Sequence, residues 1–188
     1  MAADGWQPTA ISGALRRRVE PLGDVRGSFT ELWRASQTAE LDPAPFVQSN
    51  LSRSRAGVLR GMHFHRRQSD LWLLIDGRAR AAMTDLRGLL GDAANGGEVA
   101  SQVIELAPGD ALFIPRLVAH GFLALEDTVL MYLVTNEHDG TDEHGFAWND
   151  PLAAIDWPEA RPILSERDAS NPTLTELVAR AAQQSPVR

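Results

Sequence analysis

The chain has 188 residues, of which 18 are basic and 25 acidic, so its formal net charge at pH 7 is -7. A charge of this sign argues against general binding of nucleic acids, which gains most of its affinity by neutralising phosphates. There is no cysteine and no apolar run near the roughly 18 residues of a membrane span, which excludes a disulfide framework and predicts a soluble, cytoplasmic protein.

Short strand candidates occupy the chain from Leu15 to about Thr135, with no helical pattern between them. In chain order they are LRRRVEPL, GSFTELWR, FVQSNLS, GVLRGMHFH, LWLLI, RARAAMTDL, SQVIELA, ALFIP, GFLAL and TVLMYLVT. Turn residues separate them, and the Asp76-Gly77 pair predicts a type I′ hairpin turn. The stretch RGLLGDAANGGEVA is polar and glycine-rich enough to predict a loop. Short strands at this density predict an all-β sandwich or barrel.

One helix is predicted near the C-terminus, in the stretch NPTLTELVARAAQQ. Thr173 and Glu176 have the spacing of a capping box. Apolar residues follow at helical spacing on one face, namely Leu174, Leu177, Val178 and Ala181. We expect this helix to cover the edge of the barrel. No repeat or linker interrupts the chain, so one domain is expected over residues 1–188, with a core at about 14–182 and loose ends at about 1–12 and 184–188.

All 18 basic residues are arginine. Without lysine, every cationic role falls to guanidinium groups, which bind phosphate in a bidentate manner and stay protonated near neutral pH. Two explanations remain open from the sequence: discrete recognition of an anion, and a codon bias that favours arginine over lysine.

A histidine-rich stretch begins at His63. Because strand side chains alternate, His63 and His65 point to the same face. With Asp70 and His120 they would offer ligands that suit Zn²⁺, Fe²⁺ or Mn²⁺. The spacing of Gly57, His63, His65, Asp70 and Gly77 resembles the first motif of the cupins, and that of Gly109, Pro115 and His120 resembles the second. A metal-dependent cupin is therefore one hypothesis, and hydrogen-bonded histidines without a metal are the other.

Longer motifs resemble those of the dTDP-4-dehydrorhamnose 3,5-epimerase family. They run from GDVRGSFTELWR through FVQSNLSRSRAGVLRGMHF and LFIPRLVAHGF to LSERDASNPTL, so the resemblance covers about residues 14–178. It implies a cupin-type jelly-roll β-sandwich with a short C-terminal helix. It implies an isomerase that epimerises a dTDP-4-keto-6-deoxyhexose at one or two carbons, in deoxysugar biosynthesis of the dTDP-rhamnose type. It also implies a homodimer that binds a dTDP-sugar and needs no cofactor or metal.

The same resemblance implies roles for individual residues. His63 takes the place of the general base, Asp168 that of the carboxylate paired with it, and Tyr132 that of the acid on the opposite face of the sugar. The residues expected to reach the nucleotide from the neighbouring subunit are Arg26, Phe29 and Glu31. The expected sugar and diphosphate contacts are Gln48, Asn50, Arg60, His120, Glu143 and Arg167.

The chemistry independently favours these residue types. Removal of a proton beside a ketone needs a base that titrates near neutral pH, and imidazole is the usual one. Inversion then needs a proton from the other face, and Tyr132 is the only phenol in the chain. Without the family motifs, the local sequence favours a core tyrosine at position 132 and is compatible with a turn aspartate at position 168.

The pattern departs from the family at the sugar end of the expected site. Where the family usually has a lysine that stabilises the enolate oxygen, this chain has Asp70, and an anion there has the wrong sign. Either Arg60, His120 or a bound cation supplies the positive charge, or the reaction differs. The usual aromatic pair is replaced by Glu137-His138, so stacking is expected from Trp72 or Trp148. A sugar-nucleotide-binding cupin without catalysis is a third hypothesis.

Overall fold

The computed structural model describes residues 5–90 and 99–184. The strands are β1 (Gln7–Pro8), β2 (Leu15–Arg18), β3 (Leu22–Asp24), β4 (Gly27–Phe29), β5 (Gln48–Ser54), β6 (Leu59–Phe64), β7 (Asp70–Asp76), β8 (Ala79–Asp85), β9 (Ala100–Leu106), β10 (Asp110–Ile114), β11 (Val118–Ala124), β12 (Thr128–Val134) and β13 (His144–Gly145). The helices are α1 (Ala35–Thr38), α2 (Arg87–Leu90), α3 (Glu166–Ala169) and α4 (Leu174–Gln184). No helix in the two described ranges is long and apolar enough to cross a membrane.

Two antiparallel sheets form the body of the molecule. The six-stranded sheet has the order β1-β2-β10-β7-β12-β5, and the five-stranded sheet has the order β13-β6-β11-β8-β9. Strands β3 and β4 pair only with each other and form a separate hairpin. The predicted all-β, cupin-type jelly-roll sandwich is therefore confirmed.

Side-chain alternation builds three apolar layers from these two sheets. The layer between the sheets contains Leu74 of β7, Met83 of β8 and Phe122 of β11, all buried. A second layer lies on the outer face of the six-stranded sheet and includes Leu73 and Phe113, and a third, on the outer face of the five-stranded sheet, includes Met62 and Phe64. Full burial of each large side chain stabilises the fold by about 1.5–3 kcal/mol.

All ten predicted strand segments contain a strand, but the predicted hairpin at Asp76-Gly77 is wrong. Strand β7 pairs with β10 and β12, whereas β8 pairs with β9 and β11, so the chain crosses from one sheet to the other at Gly77. Gly77 has a φ of 79°, and a Cβ there would lie 2.1 Å from the carbonyl oxygen of Asp127. Glycine is thus required by close backbone contact in a crossover, which the local sequence cannot distinguish from a hairpin.

Two further expectations are corrected by the structure. The stretch at residues 87–100 was predicted to be a loop, but it begins with the helical turn α2. The Asp85 carboxylate accepts a hydrogen bond from the backbone amide of Arg87 at the start of this turn. Residues 91–98 lie outside the described ranges. The expected loose N-terminal end is packed from residue 5 onwards, because Trp6 and Ile11 are buried and β1 pairs with β2.

Helix α4 has the predicted capping box. The Thr173 amide donates to the Glu176 carboxylate and the Glu176 amide donates to the Thr173 hydroxyl, at 2.8 and 3.2 Å. The helix covers the outer face of the five-stranded sheet rather than a barrel edge, because buried Leu174 packs in the layer that contains Phe64 and Phe146.

Candidate active site

A cavity of about 200 Å³ lies between the two sheets. Polar and aromatic side chains line it, namely Ser52, Arg60, His63, His65, Gln68, Asp70, Trp72, His120, Phe122, Leu130, Tyr132, Glu143 and Arg167. Six of the twelve predicted catalytic and substrate-contact residues are lining residues: Arg60, His63, His120, Tyr132, Glu143 and Arg167.

A β-bulge turns both Arg60 and His63 toward this cavity. His120 is paired with His63 and Phe122 with Arg60, so β6 has one residue more than β11 between the two pairs. The extra residue breaks the alternation that would otherwise send positions 60 and 63 to opposite faces. The two strands approach closely at this point, since a Cβ at Gly61 would lie 2.6 Å from the Cα of Gly121.

His63 is oriented by Asp168, which lies 105 residues further along the chain. The His63 Nε2 is 2.6 Å from the Asp168 Oδ1. Asp168 is buried in α3, whose N-cap is Ser165. Burial alone would raise the pKa of Asp168, but hydrogen bonds from His63 and from the Gly61 amide hold it below its ordinary value.

An ionised carboxylate can only accept a hydrogen bond. The Nε2 of His63 therefore carries a hydrogen and donates it in a hydrogen bond to Asp168. The neutral ring then has its lone pair on Nδ1. This leaves one ring nitrogen of His63 able to accept a proton.

Tyr132 reaches the cavity from the other sheet. It lies on β12 and is half-buried, whereas His63 lies on β6 of the five-stranded sheet. Burial raises the pKa of the Tyr132 phenol, and the negative charges of Asp70 and Glu143 raise it further. The phenol therefore stays protonated at neutral pH.

Both arginines that line the cavity are held by other protein groups. Arg60 donates to the Ser54 hydroxyl at 2.9 Å and to the backbone carbonyl of Arg53 at 3.2 Å. Arg167 donates to the Glu143 carboxylate at 2.9 Å. Burial opposes ionisation of Glu143, but the hydrogen bond from Arg167 keeps the pKa of Glu143 below its ordinary value.

The buried wall of the cavity contains two histidines and one aspartate. His65, Asp70 and His120 are 6%, 3% and 5% exposed. Burial lowers the pKa of His120 to about 4, so its ring is neutral at physiological pH. Trp72 packs edge-on against the His120 ring at 5.2 Å between centroids. Trp72 thus supplies aromatic surface in the cavity, whereas Trp148 is not among the lining residues.

Three of the four residues of the metal-ligand hypothesis lie close together, and His63 is not among them. Possible ligand atoms of His65, Asp70 and His120 all lie within 4.8 Å of one another, and this group does not include His63. Because the Nε2 of His63 is bonded to Asp168, this ring is oriented by a different carboxylate.

The remaining predicted contacts lie outside the cavity of a single chain. Arg26 and Phe29 are exposed on the β3–β4 hairpin, where Arg26 pairs with Asp24, and Glu31 pairs with Arg34. Gln48 and Asn50 lie on the same face of β5 as the lining residue Ser52. The side-chain Nε2 of Gln48 donates to the side-chain Oδ1 of Asn50 at 2.9 Å.

Sequence reasoning missed four lining residues, Ser52, Gln68, Phe122 and Leu130. Alternation from Gln48 and Asn50 along β5 points to Ser52. No comparable signal identifies Gln68, whose amide donates to the Asp70 carboxylate at 2.8 Å.

Comparisons with known proteins identify relatives. The family described as dTDP-4-dehydrorhamnose 3,5-epimerase matches residues 8–176. The enzyme of that name from Escherichia coli (strain K12) is 34% identical over 177 residues, which cover 90% of this chain and 94% of that protein. A dTDP-4-dehydrorhamnose 3-epimerase from Streptomyces niveus is 32% identical over 176 residues, covering 90% of this chain and 84% of that protein.

A solved structure of similar fold is a dTDP-6-deoxy-D-glucose-3,5-epimerase from Legionella pneumophila in complex with dTDP-4-keto-L-rhamnose. It superposes with a TM-score of 0.83 at 30% sequence identity, covering 94% of this chain and 96% of that chain.

Proposed function

The chain belongs to the dTDP-4-dehydrorhamnose 3,5-epimerase family, and on this premise we propose that it epimerises a dTDP-4-keto-6-deoxyhexose in deoxysugar biosynthesis. The observation that carries the proposal is the placement of His63 and Tyr132 on different sheets around one cavity. Inversion of a carbon needs a proton removed on one side and returned on the other.

In the proposed reaction, the Nδ1 of His63 removes the proton from a carbon beside the 4-keto group. The C–H electrons form the enolate, and the imidazolium is stabilised by Asp168. Tyr132 then protonates the same carbon from the opposite face, and the enolate returns to a ketone. The imidazolium loses a proton to solvent and the tyrosinate gains one, so the enzyme is restored. Each proton transfer contributes about 10²–10⁴-fold to the rate.

We propose that Arg60 and Arg167 bind the diphosphate of the nucleotide sugar. Both guanidinium groups line the cavity and provide positive charge in a chain whose net charge is -7. Guanidinium binds phosphate in a bidentate manner, which suits two neighbouring phosphates.

We further propose a homodimer in which the β3–β4 hairpin completes the partner's site. The hairpin pairs with neither large sheet and exposes apolar side chains, with Val25 105%, Leu22 73% and Phe29 68% exposed. Exposed apolar surface of this kind favours an interface. The location in the cytoplasm stays a prediction, which cell fractionation would test.

Incubation with dTDP-4-keto-6-deoxyglucose in D₂O tests the reaction. We expect deuterium at C3, at C5 or at both, and mass spectrometry with NMR would show which carbon inverts. His63→Ala removes the base and is expected to abolish incorporation, whereas Asp156→Asn, at a 94% exposed carboxylate that does not line the cavity, leaves it unchanged. The proposal fails if the native protein binds the nucleotide sugar but exchanges no proton, or if His63→Ala exchanges at the native rate.

A further inference from the structure

Three side chains able to bind a metal meet where the two sheets face each other. Asp70 belongs to β7 of the six-stranded sheet, His120 belongs to β11 of the five-stranded sheet, and His65 directly follows β6. All three are more than nine-tenths buried, with exposures of 3%, 5% and 6%. A charged aspartate in such a place needs a compensating partner.

Backbone contacts fix which nitrogen of each imidazole faces the aspartate. The His65 Nδ1 lies 2.7 Å from the Asp142 carbonyl oxygen, and the His120 Nδ1 lies 3.1 Å from the Val118 carbonyl oxygen. Carbonyl oxygens only accept, so each Nδ1 carries a hydrogen, and Nε2 is the ring nitrogen that lies on the Asp70 side.

Both Nε2 atoms lie near the Asp70 carboxylate without a hydrogen bond to it. The Nε2 of His65 is 3.9 Å and the Nε2 of His120 is 3.5 Å from the nearer Asp70 oxygen. A charge-assisted hydrogen bond would bring the atoms to about 2.7–2.9 Å. Possible ligand atoms of all three side chains lie within 4.8 Å of one another, so one cation placed between them could contact all three.

The separations suit a metal ion better than a shared proton. A tetrahedral ion with bonds of about 2.0–2.1 Å keeps its ligand atoms about 3.3 Å apart. The Nε2 of His120 is 3.5 Å from the Oδ2 of Asp70 and the Nε2 of His65 is 3.9 Å from its Oδ1, which exceed that value by about 0.2 and 0.6 Å. The outer contacts also suit a metal site, since carbonyls orient both rings and Gln68 donates to Asp70 at 2.8 Å.

We propose that His65, Asp70 and His120 bind one divalent transition-metal ion, such as Zn²⁺, with an open coordination position facing the cavity. Three protein ligands and one open position are the arrangement of catalytic rather than structural zinc sites. His63 stays outside the set because Asp168 holds it, so the base and the ion occupy the same cavity without competing for one side chain.

A role for the ion rests on the proposed function. The enolate that forms on proton removal needs positive charge at its oxygen, and Asp70 supplies the opposite sign. Among the described lining residues, the two arginines are bonded to Ser54, Arg53 and Glu143. An ion bound by His65, Asp70 and His120 would polarise the 4-keto oxygen as a Lewis acid.

Metal binding is measured first without substrate. Untagged protein is treated with chelator, dialysed, loaded with Zn²⁺ or Co²⁺ and freed of excess ion, and the retained metal is determined by mass spectrometry. We expect one ion per chain and, for Co²⁺, visible d–d absorption typical of nitrogen and oxygen ligands. The thermal unfolding midpoint should rise with ion concentration, because the ion binds the native state.

Ligand variants identify the site. Loss of an outer-shell partner costs about 10–100-fold in metal affinity, so His65→Ala and His120→Ala should each weaken binding by at least about 100-fold. His138→Ala is the matched control, because this side chain is 65% exposed. Asp70→Asn preserves shape and covers the case in which a histidine variant fails to fold. The site is disproved if the native protein retains no stoichiometric ion, or if binding survives in both folded histidine variants.

The catalytic role is tested by isotope exchange with metal-loaded and chelated protein. Loss of exchange on chelation and its recovery with Zn²⁺ or Co²⁺ support the role, and equal exchange in both states overturns it. If the protein binds stoichiometric metal but shows no exchange, either metal-loaded or chelated, the metal site is supported. The same result would contradict the role of the ion at the ketone and disprove the proposed epimerase function.

Discussion

The Nε2 of His63 lies 2.6 Å from the carboxylate of Asp168, which belongs to a short helix outside both sheets. Many hydrolases use the same arrangement, in which a carboxylate fixes the tautomer of a histidine base and stabilises the imidazolium that forms.

Asp168→Asn should impair the base without impairing binding. The amide no longer stabilises the imidazolium and allows the wrong tautomer, so kcat should fall by about 10²–10⁴-fold while KM changes little. Steady-state kinetics would measure both constants. Asp156→Asn is the control, since that carboxylate is 94% exposed, and an Asp168→Asn enzyme with native kcat would contradict the assignment.

Tyr132→Phe should separate proton removal from inversion. His63 still removes and returns a proton on its own face, so deuterium enters the substrate from D₂O with retained configuration. Inversion should fall by at least about 10²-fold because the opposite face has no acid. NMR of the sugar ring reports both events in one sample, and inversion at the native rate would exclude Tyr132 as the acid.

The phenol of Tyr132 should ionise only above pH 10, because burial and nearby carboxylates raise its pKa from 10.0. Tyr132 is the only tyrosine, so the near-ultraviolet absorbance of tyrosinate reports this group alone. In urea the midpoint should return to about 10. The raised native pKa contributes stability that is present below about pH 10 and is lost as pH rises through the native pKa. Tyr132→Phe should lack both the absorbance change and this loss.

Gly61→Ala should destabilise the fold by about 3 kcal/mol or more, through both strain and overlap. Its φ is 133°, and the added Cβ would lie 2.6 Å from the Cα of Gly121. Gly140→Ala separates the two causes, because Gly140 has a φ of 73° with nothing within 4 Å of its added Cβ. That variant should lose only about 1–2 kcal/mol. Urea unfolding measures both, and equal losses would refute the steric argument.

Mixing inactive variants should restore activity if the β3–β4 hairpin completes the partner's site. His63→Ala and Arg26→Ala subunits, unfolded and refolded together, form heterodimers in which one site has both native residues. Activity should return to about a quarter of the native value for random pairing. Each variant refolded alone is the control, and a mixture no more active than its parts would argue against a shared site.

Much of the fold was predictable because the strands alternate strongly and are separated by turn residues. The ten strand segments and the capping box of α4 follow from local pattern alone. Sheet assignment did not follow, since Gly77 lies in a crossover that has the sequence of a hairpin. The short strands β1, β3 and β13 have too few residues to show periodicity.

Six of the twelve predicted catalytic and substrate-contact residues line the cavity, but the geometry of the site was not predictable from the sequence. The family motifs indicated His63, Tyr132 and Asp168. They did not indicate the bulge at Gly61, which turns Arg60 into the same cavity, because the bulge depends on pairing between strands that are distant in sequence. The sequence suggested four metal ligands, whereas the structure groups three, because the contact between His63 and Asp168 spans 105 residues. Leu117, where the second cupin motif has glycine, still adopts a left-handed φ of 57°.

The late position of Asp168 has a consequence for how the protein is made. Strand β13 ends at Gly145, so every strand of both sheets has been synthesised before the codon for Asp168 is read. Domains generally begin to fold from the N-terminal end during translation. A chain on a ribosome that stalls between Gly145 and Asp168 would contain every strand of the sandwich and His63. It would lack the Asp168 carboxylate that orients the His63 imidazole. In the proposed mechanism, the carboxylate that orients the base is therefore synthesised after every strand of both sheets.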